Sequence, residues 1–235
     1  MPDLEDEIRA IDARLERMAI DSGAQRVVAD VTIRREVLAR AGHFDAFPGM
    51  AVPASPDEAS FFAPAACYHV FARLAGAQLD APRSFTLVTT CAREEVARPL
   101  GPGRLRHFRM REVVFVGRPA WVERVRDDWM KRAGGFASSL GPSGRMEEAT
   151  DMFFGAGGRG RRLIQQMKKL KYELRMNAGT AGELAIASFN LHETFFTDRF
   201  DIRLEDGTRA ASGCAAFGLE RCALVRLSDR HAHLR

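Results

Sequence analysis

The sequence predicts an α/β fold of the α+β kind: an antiparallel sheet of about six strands flanked by helices. Three observations predict it. The chain opens with apolar residues at helical spacing, Ile8, Ile11, Leu15 and Met18 sharing one face of 5–19. Runs rich in β-branched and apolar residues recur at 84–90, 108–116, 170–176, 183–189, 200–204 and 210–216. The later strands are joined by short turns such as Asp206-Gly207, and short turns favour antiparallel neighbours over a doubly wound parallel sheet.

Taken in order, the helix over 5–19 is followed by a second over 33–41, which ends at Gly42. A loop spans 43–49. The break Pro53-Ala54-Ser55-Pro56 precedes a predicted helix over 57–79 that carries Phe61, Phe62, Cys67, Val70 and Phe71. Strands 84–90 and 108–116 form a hairpin across a long loop containing proline and glycine. Pro119 sits well in the first turn of a helix over 119–138. A turn at 138–144 and a glycine-rich loop at 153–160 lead into a basic helix over 161–169. The last strand feeds a helix over 218–227. No repeat or low-complexity segment interrupts this order.

The 235 residues suit one domain, 1–235, with a helical segment over 1–40 packed on it. A hydrophobic content of 46% supports a sizeable core. The net charge of +4 is compatible with a phosphate-bearing or acidic partner, but it does not by itself argue for nucleic acid. No apolar run reaches the roughly 18–20 residues that span a bilayer. The acidic start, Met1-Pro2-Asp3-Leu4-Glu5-Asp6-Glu7, has no hydrophobic region behind it, so no signal peptide is expected and the location reads as cytoplasmic. Cys67, Cys91, Cys214 and Cys222 form no CxxC pair; in that setting cysteines serve as buried thiols, catalytic groups or metal ligands more often than disulfides.

Two arginine sites carry the chemistry. The first is Cys91-Ala92-Arg93-Glu94-Glu95, a loop, then Phe108-Arg109-Met110-Arg111-Glu112; the second is Phe217-Gly218-Leu219-Glu220-Arg221 at a strand-to-helix junction. A polyphosphate needs fixed positive charge, and the planar guanidinium fork matches phosphate oxygens. Glu95 stands two residues after Arg93, on the same face of an extended chain, and suits an adenine amino group. Phe108 on the facing strand suits the base. Read singly, each site favours the plainer reading, a hairpin with surface arginines, because Arg-x-Glu is a common triplet. The loop at 155–160 lacks the Lys-Ser/Thr ending of a P-loop.

In order and spacing these residues resemble motifs 2 and 3 of class II aminoacyl-tRNA synthetases. A closer resemblance is to the amino acid:[carrier protein] ligases, tRNA-free relatives of the atypical archaeal seryl-tRNA synthetases. It is carried by Ala65-Ala66-Cys67-Tyr68, Phe108-Arg109-Met110-Arg111-Glu112, Asp151-Met152-Phe153-Phe154-Gly155, Leu170-Lys171-Tyr172-Glu173-Leu174, Ser188-Phe189-Asn190-Leu191-His192 and Ser212-Gly213-Cys214. It spans about residues 40–228.

The resemblance implies a class II synthetase-like sheet and a two-step reaction. ATP activates a small amino acid (glycine, alanine or serine) as an aminoacyl-adenylate, which then passes to the phosphopantetheine thiol of a carrier protein. It implies Arg93 and Arg221 as catalytic groups on the phosphates, with Glu95, Arg104 and Phe108 completing the ATP site. It implies a zinc ion held by Cys67, Glu112 and Cys214, three ligands that leave a fourth position for the substrate amine. Magnesium accompanies ATP, with Glu183 a candidate ligand. Lys171, Glu173, Asn190 and His192 border the amino acid. Arg159, Arg161 and Arg162, beside Lys168 and Lys169, make a basic dock for an acidic carrier protein; a solvated helix face is the plain alternative. The region 42–48 resembles the dimer-forming motif 1, so a homodimer is expected, without tRNA-binding domain, tRNA or membrane as partner.

The chain departs from the pattern where Ala92 replaces the aromatic before the motif 2 arginine and where Glu94 adds a negative charge. A second reading is therefore kept: a non-catalytic synthetase paralogue that binds an amino acid or adenylate and regulates a partner. A synthetase using a separate tRNA-binding partner is a third.

Overall fold

The computed structural model describes residues 3–94, 100–141, 144–151 and 158–232, without the side chains of Gly158, Arg159, Arg161 and 230–232. In chain order the elements are α1 (Leu4–Asp21), β1 (Gln25–Arg26), β2 (Thr32–Arg34), α2 (Arg35–Arg40), α3 (His43–Ala46), β3 (Ser60–Phe62), α4 (Cys67–Arg73), β4 (Gln78–Leu79), β5 (Arg83–Ala92) and β6 (His107–Gly117). They continue with α5 (Pro119–Ala137), β7 (Arg145–Glu148), α6 (Gly158–Met167), β8 (Lys171–Asn177), β9 (Glu183–Glu193), α7 (Phe195–Arg199), β10 (Arg203–Leu204), β11 (Ala211–Gly218) and α8 (Leu219–Ala232).

The main sheet has seven strands among the described residues, ordered β1-β5-β6-β11-β9-β8-β7. Six of them pair antiparallel, as the short turns require, and β1 adds a parallel edge on β5. Side chains alternate across each strand, so the sheet has two apolar faces. One takes Val113 and Phe115 of β6 with Phe217 of β11 and is covered by α1, α5 and α8 through Ile11, Leu15, Trp129, Phe136 and Leu219. The other takes Val114 and Val116 with Cys214 and is covered at one end by α2, α4 and the small strands through Leu38, Val70, Phe71 and Ile202.

Asp3 caps α1 with its carboxylate toward Glu5 N, and Glu5, Asp6 and Glu7 place negative charge at the positive end of the helix dipole. The inner side of α1 is tied down by ions as well as by leucines. The guanidinium of Arg111, 3% exposed, forks onto Asp12 at 2.7 and 2.8 Å. Arg109 reaches Glu5 at 2.7 Å, and Arg226 reaches Glu7 at 2.6 Å.

Three expectations are corrected. The predicted helix over 57–79 is three pieces, β3, α4 and β4. Pro64 has no N–H to continue a helix and disfavours a helical conformation for the residue before it, and Gly76 turns at φ 75°. The expected strand over 200–204 shrinks to β10, paired with β4 outside the main sheet. Glu183 stands exposed at the start of β9, ion-paired to Arg145 at 2.8 Å and Arg175 at 3.2 Å, so it is committed to cations on the sheet rather than free for magnesium.

Candidate functional site

The antiparallel registers set the site out in rows. In one row Leu87, Glu112, Ala216, Ser188 and Glu173 are successive cross-strand partners from β5 to β8. In the next, Phe85, Val114, Cys214, Asn190 and Lys171 are. Two-residue alternation therefore puts Glu112, Cys214, Asn190, Lys171 and Glu173 on one face. β9 carries one extra residue opposite Ser212/Gly213, and this bulge seats His192 beside Ser212 and Cys214. Its Nδ1 lies 3.2 Å from Ser212 Oγ and its Nε2 3.6 Å from Cys214 Sγ. The amide of Asn190 donates to Cys214 Sγ at 3.4 Å.

α4 brings Cys67 over this face. Its start lies on Glu112, whose two oxygens accept the backbone N–H groups of Ala66 at 2.9 Å and Cys67 at 3.0 Å. The Cys67 thiol hydrogen-bonds with Cys214 and Glu112. The hydrogen bond to Cys214, burial and the Glu112 charge all push the Cys67 thiol well above its ordinary range, so Cys67 keeps its proton. Burial and the Cys214 charge lift Glu112 to about 7, opposed by its backbone donors. Three donors that zinc accepts thus meet in one buried spot. Among the described residues no group of three His, Cys, Asp or Glu side chains is arranged to hold a metal ion; the Glu112 oxygens lie on backbone donors instead. In donor chemistry the cluster fits zinc, with both thiols buried and Asn190 and His192 behind one of them.

The arginines lie at the end of the sheet where β5 and β11 run out. Arg93 follows β5, donates from Nε to the Pro64 carbonyl at 2.6 Å and stacks 5.2 Å from the Phe108 ring centre. Arg221 opens α8 and donates to the carbonyls of Gly103 at 2.7 Å and Ala185 at 2.9 Å. Gly103 belongs to the β5–β6 loop that also carries Arg104, closed there by the Gly101–Arg104 bridge. Glu220, next to Arg221, accepts from Arg109 N at 2.9 Å and Arg109 Nε at 2.9 Å. Arg109 and Arg111 therefore face α1, opposite Phe108 and Glu112; the alternation within β6 already separates them. Glu94 is half-buried and paired with Arg106. Glu95 lies outside the described residues.

The far end of the face holds a half-buried ion cluster. The ammonium of Lys171 meets the Asp151 carboxylate and stands 3.6 Å from Glu173. Against the cost of burial, the pair holds Asp151 below the usual carboxylate range and Lys171 above the usual amine range. Asp151 in turn binds Gln165 of α6. Sequence reasoning assigned neither Asp151 nor Gln165, since nothing in their spacing marks them as neighbours of Lys171. α6 presents Leu163, Ile164 and Met167 to solvent at 56%, 54% and 74% exposure. Arg162 is half-buried; the side chains of Arg159 and Arg161 lie outside the described residues. No helix among the described residues is long and apolar enough to cross a membrane.

No protein-family model matches the chain. The chain is 34% identical over 203 residues to an amino acid–[acyl-carrier-protein] ligase of Bradyrhizobium diazoefficiens, an alignment covering 85% of this chain and 60% of that one. A second such ligase from the same organism gives 34% over 204 residues. The chain thus spans about three fifths of the length of these relatives. A type-2 serine–tRNA ligase of Methanococcus maripaludis is 31% identical over 134 residues, 55% of this chain and 26% of that protein. Among solved structures, a seryl-tRNA synthetase from Pyrococcus horikoshii complexed with ATP superposes with a TM-score of 0.76 at 19% identity, covering 95% of this chain and 52% of that one. At that identity the likeness establishes the fold: the mixed α/β catalytic core of the seryl-tRNA synthetases.

Proposed function

Because the chain is a homologue of the amino acid–[acyl-carrier-protein] ligases, we propose that it activates a small amino acid with ATP and transfers it to the phosphopantetheine thiol of a carrier protein. One observation carries this reading. The guanidinium groups of Arg93 and Arg221 stand at the end of the sheet where β5 and β11 run out, and the charge of Arg93 reaches Glu112 of the Cys67–Glu112–Cys214 cluster. In the first step an amino acid carboxylate oxygen attacks the α-phosphorus of ATP and pyrophosphate leaves. Arg93 neutralises charge on the α-phosphate, and Arg221 and Arg104 hold the leaving pyrophosphate. Phe108 and Glu95 hold adenine. In the second step the carrier thiol attacks the aminoacyl carbonyl and AMP leaves. Neither step forms a bond to the enzyme, so positioning and charge supply the acceleration.

Cys67, Glu112 and Cys214 would hold zinc, with Asn190 and His192 orienting the Cys214 sulfur. A zinc ion held by these residues would supply a Lewis acid for a neutral α-amine. Lys171 and Glu173 close the side of the pocket that limits the substrate to glycine, alanine or serine. Magnesium accompanies the ATP phosphates. α6, with Arg159, Arg161 and Arg162, receives the acidic carrier protein, its exposed apolar residues meeting the carrier and its cations steering it. The chain works as a homodimer.

Amino-acid-dependent pyrophosphate exchange across all amino acids, with metal content assayed on the same sample, tests the reading. Exchange with a small amino acid and one zinc per chain is expected. A zinc-loaded protein that exchanges with none of them is not this enzyme.

A further inference from the structure

α6 is packed inside out. Its apolar Leu163, Ile164 and Met167 face solvent, while the half-buried amide of Gln165 is hydrogen-bonded to Asp151 beside the sheet. Gln165 makes a closed two-bond ring with Asp151: its Oε1 accepts the Asp151 backbone N–H at 2.7 Å, and its Nε2 donates to Asp151 Oδ2 at 2.8 Å. The other carboxylate oxygen, Oδ1, accepts from the ammonium of Lys171. Lys171 opens β8 directly opposite Asn190, and Asn190 lies opposite Cys214 and hydrogen-bonds to its sulfur at 3.4 Å. The backbone repeats the connection, since Leu170 N donates to Gln165 O at 2.9 Å and Leu191 N to Leu170 O at 2.8 Å. Side-chain hydrogen bonds thus run from an exposed helix through Gln165 and Asp151 to Lys171, and cross-strand pairing carries the connection from Lys171 to Asn190 and Cys214.

We propose that Gln165 is a positioning residue that couples the α6 surface to the amino acid pocket. It holds Asp151 in the one orientation that leaves an oxygen for Lys171, and so fixes the Lys171 ammonium at the pocket wall. A partner that moves α6 shifts that ammonium, and an amino acid that orders the pocket stiffens α6. The proposal rests on the ligase reading, with the carrier protein as the partner on α6. By linkage the effect is reciprocal: the carrier tightens the amino acid by the factor with which the amino acid tightens the carrier.

Gln165→Met keeps the length of the side chain and removes both bonds. Hydrogen bonds to charged groups lie in the range that predicts a roughly tenfold rise in the amino acid KM for pyrophosphate exchange. The ATP KM, kcat at saturation and Tm stay close to the parent values. Saturating carrier protein lowers the amino acid KM of the parent and leaves that of Gln165→Met unchanged. An unchanged amino acid KM in the variant overturns the proposal, and so does a carrier effect of equal size in both proteins. Amino acid and ATP KM rising together with a lowered Tm make Gln165 merely structural and overturn it as well. Backbone hydrogen exchange of the peptides covering β8 and β9 needs no reaction. Faster exchange there in Gln165→Met supports the strut, and identical exchange overturns it. A parent that shows no pyrophosphate exchange sinks the ligase reading alone, and the hydrogen-exchange result still decides the strut.

Discussion

His43 gives the fold a pH dependence that can be worked out from its surroundings. The ring is buried at the start of α3, with Phe44, Phe47 and Tyr68 packed around it. Its Nδ1 pairs with the Tyr68 hydroxyl at 3.0 Å, and its Nε2 is a buried atom without a partner among the described residues. Burial, reinforced by the positive charge of Arg93, holds its pKa down to about 4. The gap from the ordinary imidazole value near 6.5 corresponds to about 3 kcal/mol. Between these two values the unfolded chain binds a proton that the folded chain refuses. The stability is therefore complete above pH 6.5 and is lost as the pH falls toward 4. By pH 4.5 the loss from this residue alone comes to about 2.5 kcal/mol. The assay is urea unfolding at pH 7.5 and 4.5 for the parent and for His43→Gln, which keeps a polar contact to Tyr68 but cannot be protonated. His69, also depressed by burial, and Glu112 titrate in both proteins and cancel in the comparison. The variant should be less stable than the parent at pH 7.5 and should recover about 2.5 kcal/mol relative to it at pH 4.5. Parallel loss of stability in the two proteins refutes the reasoning.

Other substitutions address the site. Arg109→Gln removes the guanidinium that bridges Glu220, next to Arg221, and Glu5 on α1, while the backbone N–H of residue 109 still holds Glu220; steady-state kinetics should show the ATP KM raised up to roughly tenfold with the amino acid KM unaltered. Cys214→Ala should lose zinc and pyrophosphate exchange together, read by metal analysis and exchange on one preparation; full zinc occupancy in the variant rules out Cys214 as a ligand. Ile164→Glu, at a side chain 54% exposed, should raise the KM for an acidic carrier protein at least roughly tenfold in the transfer assay, since it puts a like charge and an unpaired carboxylate into an apolar contact.

The long elements were readable because their patterns are long. Strands β5, β6, β9 and β11 and helices α1, α5 and α8 all fall where apolar periodicity places them, to within a few residues at their ends. The edge strands were not: β1 has two residues and β7 reads Arg-Met-Glu-Glu, so pairing alone makes them strands. The helix expected over 57–79 shows the same limit from the other side, because a run of apolar residues looks helical until Pro64 is weighed against it. In the site, each arginine was visible as a motif, but their tethers are not. The carbonyls of Gly103 and Ala185 on Arg221 come from loops and strands distant in sequence. Cys67, Glu112 and Cys214 had no spacing of their own, and only the resemblance joined them. Sheet register then brings the second and third to adjacent strands, and the N-terminus of α4 adds the first. Asp151 opens a segment that carries the resemblance, but nothing in the sequence pairs it with Gln165 or Lys171, and that pairing is a matter of tertiary contact.

The bulge between β9 and β11 has a consequence for how errors in this sheet are excluded. If β9 slid by one residue, Phe189 or Leu191 would stand against Cys214 and the polar side of the strand would turn into the leucine and phenylalanine layer under α5. Gly213 guards against this by crowding: a Cβ there would meet the Phe115 ring and come within 2.6 Å of the Asn190 carbonyl. Only a glycine lets β9 approach so closely, and only with one residue left over does Ser212 then meet Glu193. The alignment of the polar row is thus proofread by the backbone, and a mispaired sheet forfeits the site and the core in the same step.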